Sequence, residues 1–329
     1  MSELRRAWVL NLDAEHELEG GTRYTPSRHL HSIVRRERGH LLERLLRPGD
    51  VLVTEEDLKS LGTDERHPAH GLPGFAWSPT PRARSLLLAA GARPVAASSL
   101  EVLQRVNARP FAAEVRGPLA DGSFGKQVLV DLDQALEAIA RPAPDGWLVR
   151  RTFGAAGRGR RRVAAGKLSP DELSWLRASL RKGPLVLEPW VQVTREYTRS
   201  GWVTPQGQVD LSAPCIQETT RSGAWSGSVA TSTSGSAAGI DREDDARLEE
   251  AFARAGEALA AAGYHGPFGI DAFRHRLGDR EVLNPLSEIN ARFTMDWTVG
   301  MQDGLRPHSA LGALENAAHE RAVPTTERV

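Results

Sequence analysis

Hydrophobic positions along the first hundred residues switch between two periods. Residues 7–12 form a short apolar run between Arg6 and Asp13, which reads as a buried strand. Residues 28–46 repeat Leu30, Ile33, Val34, Leu41, Leu42 and Leu45 at helical spacing and predict an amphipathic helix. Residues 50–54 read as a second strand, residues 81–90 as a helix stopped by Gly91, and residues 93–96 as a third strand. Strands separated by helices predict a small parallel sheet, a Rossmann-like layer. No G-x-G-x-x-G follows its first strand, which argues against dinucleotide binding there.

The pattern then changes character. A helix is expected over residues 98–115, followed by a Gly-bearing segment over 117–126 and a short helix over 133–140. Residues 147–151 read as a strand, 152–159 as a Gly-rich loop and 160–164 as its return strand. The Ser169-Pro170-Asp-Glu start, with Ser169 as N-cap and Pro170 at the first position, opens a helix to residue 181. Residues 185–191 form a further strand, and two more flank Pro205-Gln206-Gly207. Residues 223–239, rich in Gly, Ser, Ala and Thr, read as a mobile loop. A long helix over 243–262 and a hairpin over 268–292 complete the described pattern, without internal repeats.

Composition narrows the class. The chain has 329 residues, 40% hydrophobic and 26% charged, as in an ordinary globular protein with two or three subdomains. Forty-two basic residues balance 42 acidic ones, so no bulk field draws it to nucleic acid or membrane. Only Lys59, Lys126, Lys167 and Lys182 are lysine; the other basic residues are arginine. The single cysteine, Cys215, excludes an intramolecular disulfide framework and points to a reducing compartment. The N-terminal apolar stretch is too short for a signal-peptide core, and no run approaches the ~20 residues that span a bilayer. A cytoplasmic location is expected.

The strongest chemistry lies in the last hairpin. A turn centred on Gly278 and Asp279 makes opposed residue numbers sum to 557, so Asp271 is expected to face Leu286, and Gly269 to face Glu288. Opposed residues share a side of the sheet, so Asp271, Glu288, Asn290 and Arg292 project from one face, the two carboxylates as diagonal neighbours. Two carboxylates and a carboxamide are hard oxygen ligands suited to Mg²⁺ or Mn²⁺. The alternative is a solvated face. Pro285 is positioned to introduce a bulge and shift the register.

These residues resemble the ATP-grasp superfamily, whose signature ends in an Asp on one strand and Glu-x-Asn on the next. Gly263-Tyr-His-Gly-Pro-Phe-Gly-Ile precedes Asp271 in the expected place, and Glu288-Ile-Asn290-Ala-Arg292 looks like the form found in biotin carboxylase and carbamoyl phosphate synthetase. The resemblance implies metal ligation by Asp271, Glu288 and Asn290, and an acyl-phosphate or carboxylate contact for Arg292. Upstream, Trp147-Leu-Val-Arg150-Arg151-Thr-Phe-Gly154-Ala-Ala-Gly157-Arg-Gly159 resembles the family's phosphate-binding strand and flap. Glu188, Trp190 and Val191 resemble the hinge that holds adenine, and Glu196 the acid that takes the ribose hydroxyls. Arg109 stands where the family's first Lys is expected, and Arg150 (or Arg151) replaces the second. Arginine keeps the charge but is not equivalent to lysine.

Other residues carry less. The cluster Arg150, Arg151, Arg158, Arg160, Arg161 and Arg162 has Phe153 as its only nearby aromatic, a weak nucleic-acid patch. Arg221 is either a γ-phosphate or substrate contact or a solvated loop residue. His29 and His31 point to different helix faces, His265 reads as packing, and Cys215 as core. The resemblance thus implies an α/β ATP-grasp fold. Its N-terminal Rossmann-like pre-ATP domain covers residues 1–106. The ATP-grasp domain covers 107–329, with a small flap subdomain over about 124–190 and a C-terminal mixed or antiparallel sheet over about 191–329. The implied activity is an ATP- and Mg²⁺-dependent (or Mn²⁺-dependent) ligase, with ADP formed. It would join a small-molecule or peptide carboxylate to an amine, without nucleic-acid or membrane partners; a homodimer is compatible with this. A catalytically reduced nucleotide-binding regulator and a small-molecule kinase of the same fold are the alternatives.

Overall fold

A computed structural model describes residues 5–21, 24–26, 31–32, 34–36, 45–62, 65–119, 127–154, 158–219, 225–231 and 240–300. Most of the helix expected over residues 28–46 lies outside these residues. The N-terminal layer is a parallel sheet of β1 (Ala7–Val9), β2 (Val51–Leu52), β3 (Pro73–Ala76) and β4 (Arg93–Pro94), in the order β2-β1-β3-β4. Strand β3 was not expected. Its Pro-Gly start hides it, yet Pro at a first strand position leaves the ladder intact. The helix Pro81–Ala89 packs on it with Thr80 as N-cap, and Gly91 follows at φ 71°.

One helix was expected over residues 98–115, and two are found, Leu100–Val106 and Arg109–Arg116. Pro110 explains the break: it has no N–H for an interior turn, but fits the first turn of the second helix. Both helices join Phe252, Ala255 and Leu259 of the helix Arg242–Ala261 in a core beneath the C-terminal sheet. A second four-stranded sheet, order β5-β8-β6-β7, comprises β5 (Val128–Leu129), β6 (Trp147–Arg151), β7 (Arg160–Val163) and β8 (Leu185–Pro189). The helices Leu132–Ala140 and Pro170–Leu180 cover one face of it, the latter started by a capping box of Ser169 and Glu172.

The third sheet has six strands. Its path is β12-β11-β9-β13-β14, formed by β9 (Val193–Val203), β11 (Cys215–Thr219), β12 (Trp225–Ala230), β13 (Gly266–Leu277) and β14 (Arg280–Asn290), with β10 (Val209–Leu211) on β9. The presence of β12 corrects the loop expected over residues 223–239: residues 225–230 pair with β11, while residues 232–239 lie outside the described set. Cys215 is buried in β11, as expected.

The hairpin register differs from the simple count. Near the turn Leu277 faces Arg280 and Phe273 faces Asn284, both summing to 557. Beyond a bulge at residues 285–287, Asp271 faces Glu288 and Gly269 faces Asn290. Two extra residues on β14 preserve side-chain parity at Glu288 and Asn290, so the carboxylates are directly opposed rather than diagonal. Pro285, which cannot donate to a ladder, sits in this bulge.

A buried ion pair ties the second sheet to the helix Arg109–Arg116. Glu188 on β8 is 4% exposed; its Oε1 accepts from Arg116 Nη1 at 2.7 Å, and Oε2 accepts from Arg150 Nη1 at 3.4 Å. Burial alone would raise the Glu188 pKa, but Arg150 and Arg116 hold it below the ordinary 4.5. A depressed carboxylate stabilises the fold above its unfolded value, and that contribution fades as pH falls through the folded value. Glu188→Gln is therefore expected to lose about 3–5 kcal/mol near neutral pH. The gap to wild type should close below the ordinary pKa of 4.5 in urea unfolding. A pH-independent gap contradicts this. Gly201 makes a separate demand, because an added Cβ would lie 2.2 Å from the Asp210 carbonyl and 2.4 Å from the Phe252 ring. Gly201→Ala is expected to lower stability by about 1–3 kcal/mol, read from the denaturation midpoint.

Candidate active site

The site is the face of the third sheet that looks away from the long helix. Asp271 on β13 and Glu288 on β14 stand opposite one another, with Thr198 on the next strand in the same row. Asn290 continues that face: its Nδ2 donates to Asp271 Oδ2 at 2.9 Å. Glu288 keeps 22% of its side-chain exposure, which describes the floor of a cleft that still meets solvent.

Two arginines from different elements converge on Glu288. Arg109, at the start of its helix and 8% exposed, donates from Nη2 to Glu288 Oε1 at 3.2 Å and to the Gly154 carbonyl at 2.6 Å. Its Nη1 donates to the Arg151 carbonyl at 2.9 Å. Arg150, on strand β6, pairs with Glu288 Oε2 and also reaches Glu188. Burial would raise the Glu288 pKa, but Arg109, Arg150 and Arg292 together hold it below the ordinary carboxylate value. Asp271 behaves oppositely. Burial, then the charges of Glu288 and Asp296, push its carboxyl up to about 7. Its neighbours are chiefly acids, so it lacks the compensation that Glu288 enjoys.

Strand alternation separates the two arginines of β6. Arg151 points to the other side, where Nε donates to Ser179 Oγ at 2.8 Å and the guanidinium lies over Trp175. Arg151 is thus removed from the cluster, and Arg150 takes the place at the cleft. Gly154 has a steric role: an added Cβ would sit 2.4 Å from the Arg158 carbonyl and 3.0 Å from Arg109 Nη1. Gly159 adopts φ 72°, and its carbonyl accepts from the Arg151 N–H at 2.8 Å. Gly157 and Arg221 lie outside the described residues.

Trp190 and Val191 lie half-buried on the short link between β8 and β9, with the Arg162 guanidinium over the Trp190 ring. The side chain of Glu188 is committed to Arg116 and Arg150. Glu196 is partly exposed on β9, facing Phe273 and Gln217 in adjacent strands. Arg292 follows β14. Its Nη2 donates to Glu15 Oε1 at 2.8 Å and Asn290 Oδ1 at 2.9 Å, and its guanidinium lies over Trp77.

Sequence reasoning did not single out Arg116, Glu15, Gln217 or Asp296. Arg116 lies seven residues after Arg109, two helical turns along the same face, a spacing that was legible. Gln217 Nε2 donates to Asp296 Oδ2 at 2.8 Å and lies 3.5 Å from Asp271 Oδ1. Glu15 meets Arg292 across 277 positions, a separation that leaves no local signal.

No protein-family model and no curated protein matches the chain. Among solved structures, D-alanyl-alanine synthetase A from Vibrio cholerae is similar at TM-score 0.53 and 13% identity, over 98% of this chain and 100% of that one. A biotin carboxylase–β,γ-ATP complex from Campylobacter jejuni gives TM-score 0.53 and 13% identity, over 98% of this chain and 72% of that one. N5-carboxyaminoimidazole ribonucleotide synthetase from Thermus thermophilus gives TM-score 0.50 and 16% identity, over 93% and 78%. With a parallel N-terminal layer, a small flap sheet and a larger antiparallel sheet that carries Asp271, Glu288 and Asn290, this chain has the ATP-grasp fold.

Proposed function

We propose that this chain is an ATP- and magnesium-dependent ligase that activates a carboxylate as its acyl phosphate and joins it to an amine. The observation that carries the reading is the convergence of Arg109 and Arg150 on Glu288, directly opposite Asp271. The donor set fits magnesium. Asp271, crowded by acids and pushed up to about 7, is a carboxylate that a divalent cation would relieve. Among the described residues no three acidic, His or Cys side chains form a complete cage. An incomplete set of carboxylate and amide oxygens suits Mg²⁺, which keeps waters and shares substrate phosphates. Asp271, Glu288 and Asn290 would hold the ion. When bound, it supplies charge neutralisation across the phosphate oxygens.

The chain's own residues supply the rest. Arg109 and Arg150 are pre-placed cations that exchange Glu288 for phosphate oxygens as nucleotide enters, and the guanidinium fork suits such oxygens. Gly154 and Gly159 let the flap backbone approach closely. Arg292, fixed by Glu15, Asn290 and Trp77, offers positive charge to the substrate carboxylate and to its activated form. Glu188 positions Arg150, and Trp190, Val191 and Glu196 line the nucleoside side. The carboxylate oxygen attacks the γ-phosphorus and ADP leaves; the amine then displaces phosphate and loses a proton. The three structural neighbours named above support a ligase through their fold. The D-alanyl-alanine synthetase and the N5-carboxyaminoimidazole ribonucleotide synthetase are named as synthetases, and the biotin carboxylase was solved with a β,γ-ATP ligand.

Incubating the full chain with ATP, Mg²⁺ and pooled carboxylates and amines is expected to yield ADP and a condensed product by mass spectrometry. Glu288→Gln should cut this turnover about 10²-fold or more and leave the circular dichroism spectrum unchanged. Undiminished turnover in that variant refutes the site. ATP binding without ADP release in any mixture favours the non-ligating nucleotide binder, and a phosphorylated hydroxyl favours the kinase.

A further inference from the structure

Asn284 is a buried side chain that the proposed mechanism does not use. It is 3% exposed, and neither its Nδ2 nor its Oδ1 has a hydrogen-bond partner among the described residues. Buried polar side-chain groups are paired in the large majority of cases, so an unpartnered carboxamide is a candidate for a partner from outside the chain. Its orientation is fixed twice over. Asn284 faces Phe273 one pair before the bulge, and the following Pro285 restricts its backbone to an extended conformation.

Register shows what surrounds it. Gln217, Glu196, Phe273 and Asn284 form one row across β11, β9, β13 and β14. The neighbouring row is Thr198, Asp271 and Glu288, and opposed residues share a face, so Asn284 looks into the same cleft as the two carboxylates. The flap lies close by, since Arg150 reaches both Glu288 and the carbonyl of Ser287 inside the bulge. A nucleotide with its phosphates at the carboxylate row and its ribose at Glu196 carries its base along the row of Phe273 and Asn284.

We infer that Asn284 reads the edge of the nucleobase and makes the site selective for adenine. The assignment rests on the nucleotide site of the proposed function. A carboxamide offers one donor and one acceptor side by side, which match the N7 acceptor and N6 amino donor of adenine. Guanine presents two acceptors, N7 and O6, on the same edge and leaves the Asn284 oxygen facing another oxygen. Phe273 beside it supplies an apolar ring surface.

Calorimetric titration of the full chain with ATP, GTP and tripolyphosphate, each with Mg²⁺, tests this in wild type, Asn284→Leu and Asn284→Asp. Wild type is expected to bind ATP about 5- to 150-fold more tightly than GTP, the discrimination of one bidentate pair. Asn284→Leu should erase that ratio, leave tripolyphosphate affinity unchanged, and keep or raise the melting temperature, because no internal hydrogen bond is lost. Asn284→Asp, nearly isosteric, keeps the acceptor that separates N6 from O6 and loses only the donor to N7, which both purines share. It should weaken ATP and GTP alike, keep the ATP preference, and guard against a folding defect in the first variant. An unchanged ATP-to-GTP ratio in Asn284→Leu, or ATP and GTP affinities unchanged in Asn284→Asp, as for a carboxamide served only by water, overturns the inference and leaves the nucleotide site standing. Failure of wild type to bind ATP or tripolyphosphate overturns both.

Discussion

Buried charge of alternating sign organises this molecule. Arg116, Glu188, Arg150, Glu288 and Arg109 form a continuous sequence of ion pairs through the base of the flap and onto the C-terminal sheet. Desolvating any one alone would be costly, so each is tolerable only while its neighbours are in place. The arrangement therefore fixes how β6, β8, the helix Arg109–Arg116 and β14 sit together. Three guanidiniums against two carboxylates also leave one positive charge in excess, at the place where the proposed phosphates would lie. The same groups that hold the fold are thus the ones that the proposed nucleotide would engage.

The carboxylate hairpin supplies the second constraint. Its bulge brings Asp271 and Glu288 face to face, and Asn290 joins the row through its bond to Asp271. Arg292 then carries the row into the N-terminal layer through Glu15 and Trp77. Beneath this contact, Trp8, Phe75, Trp77, Trp202, Phe293 and Trp297 share one aromatic core built from both the first and the third sheet. The N-terminal layer is therefore in direct contact with the segment that would bind the activated carboxylate. No helix of the described residues is long and apolar enough to cross a membrane.

Much of this was legible in the sequence because the signals are local. Side-chain parity alone put Asp271, Glu288 and Asn290 on one face, and survived the bulge because two residues were inserted rather than one. Ser169-Pro170 and Gly91 marked helix ends by capping chemistry that needs no tertiary context. The strand β3 and the break at Pro110 were hidden, the first by its Pro-Gly start and the second by a helical pattern that runs across the break. The choice between Arg150 and Arg151 depended on which face of β6 meets the cleft, which no single strand reveals. Glu15, Asp296 and the buried Asn284 acquire meaning only from the surroundings that the fold brings to them.

The central claim is that Arg109, Arg150 and the Asp271–Glu288–Asn290 row form a single metal-dependent nucleotide site. Calorimetric titration of the full chain with ATP, in saturating Mg²⁺ and again in chelator, tests it most directly. The account requires one nucleotide per chain with Mg²⁺ and a marked loss of affinity without it. Binding of equal strength in chelator, or a stoichiometry above one, would contradict it.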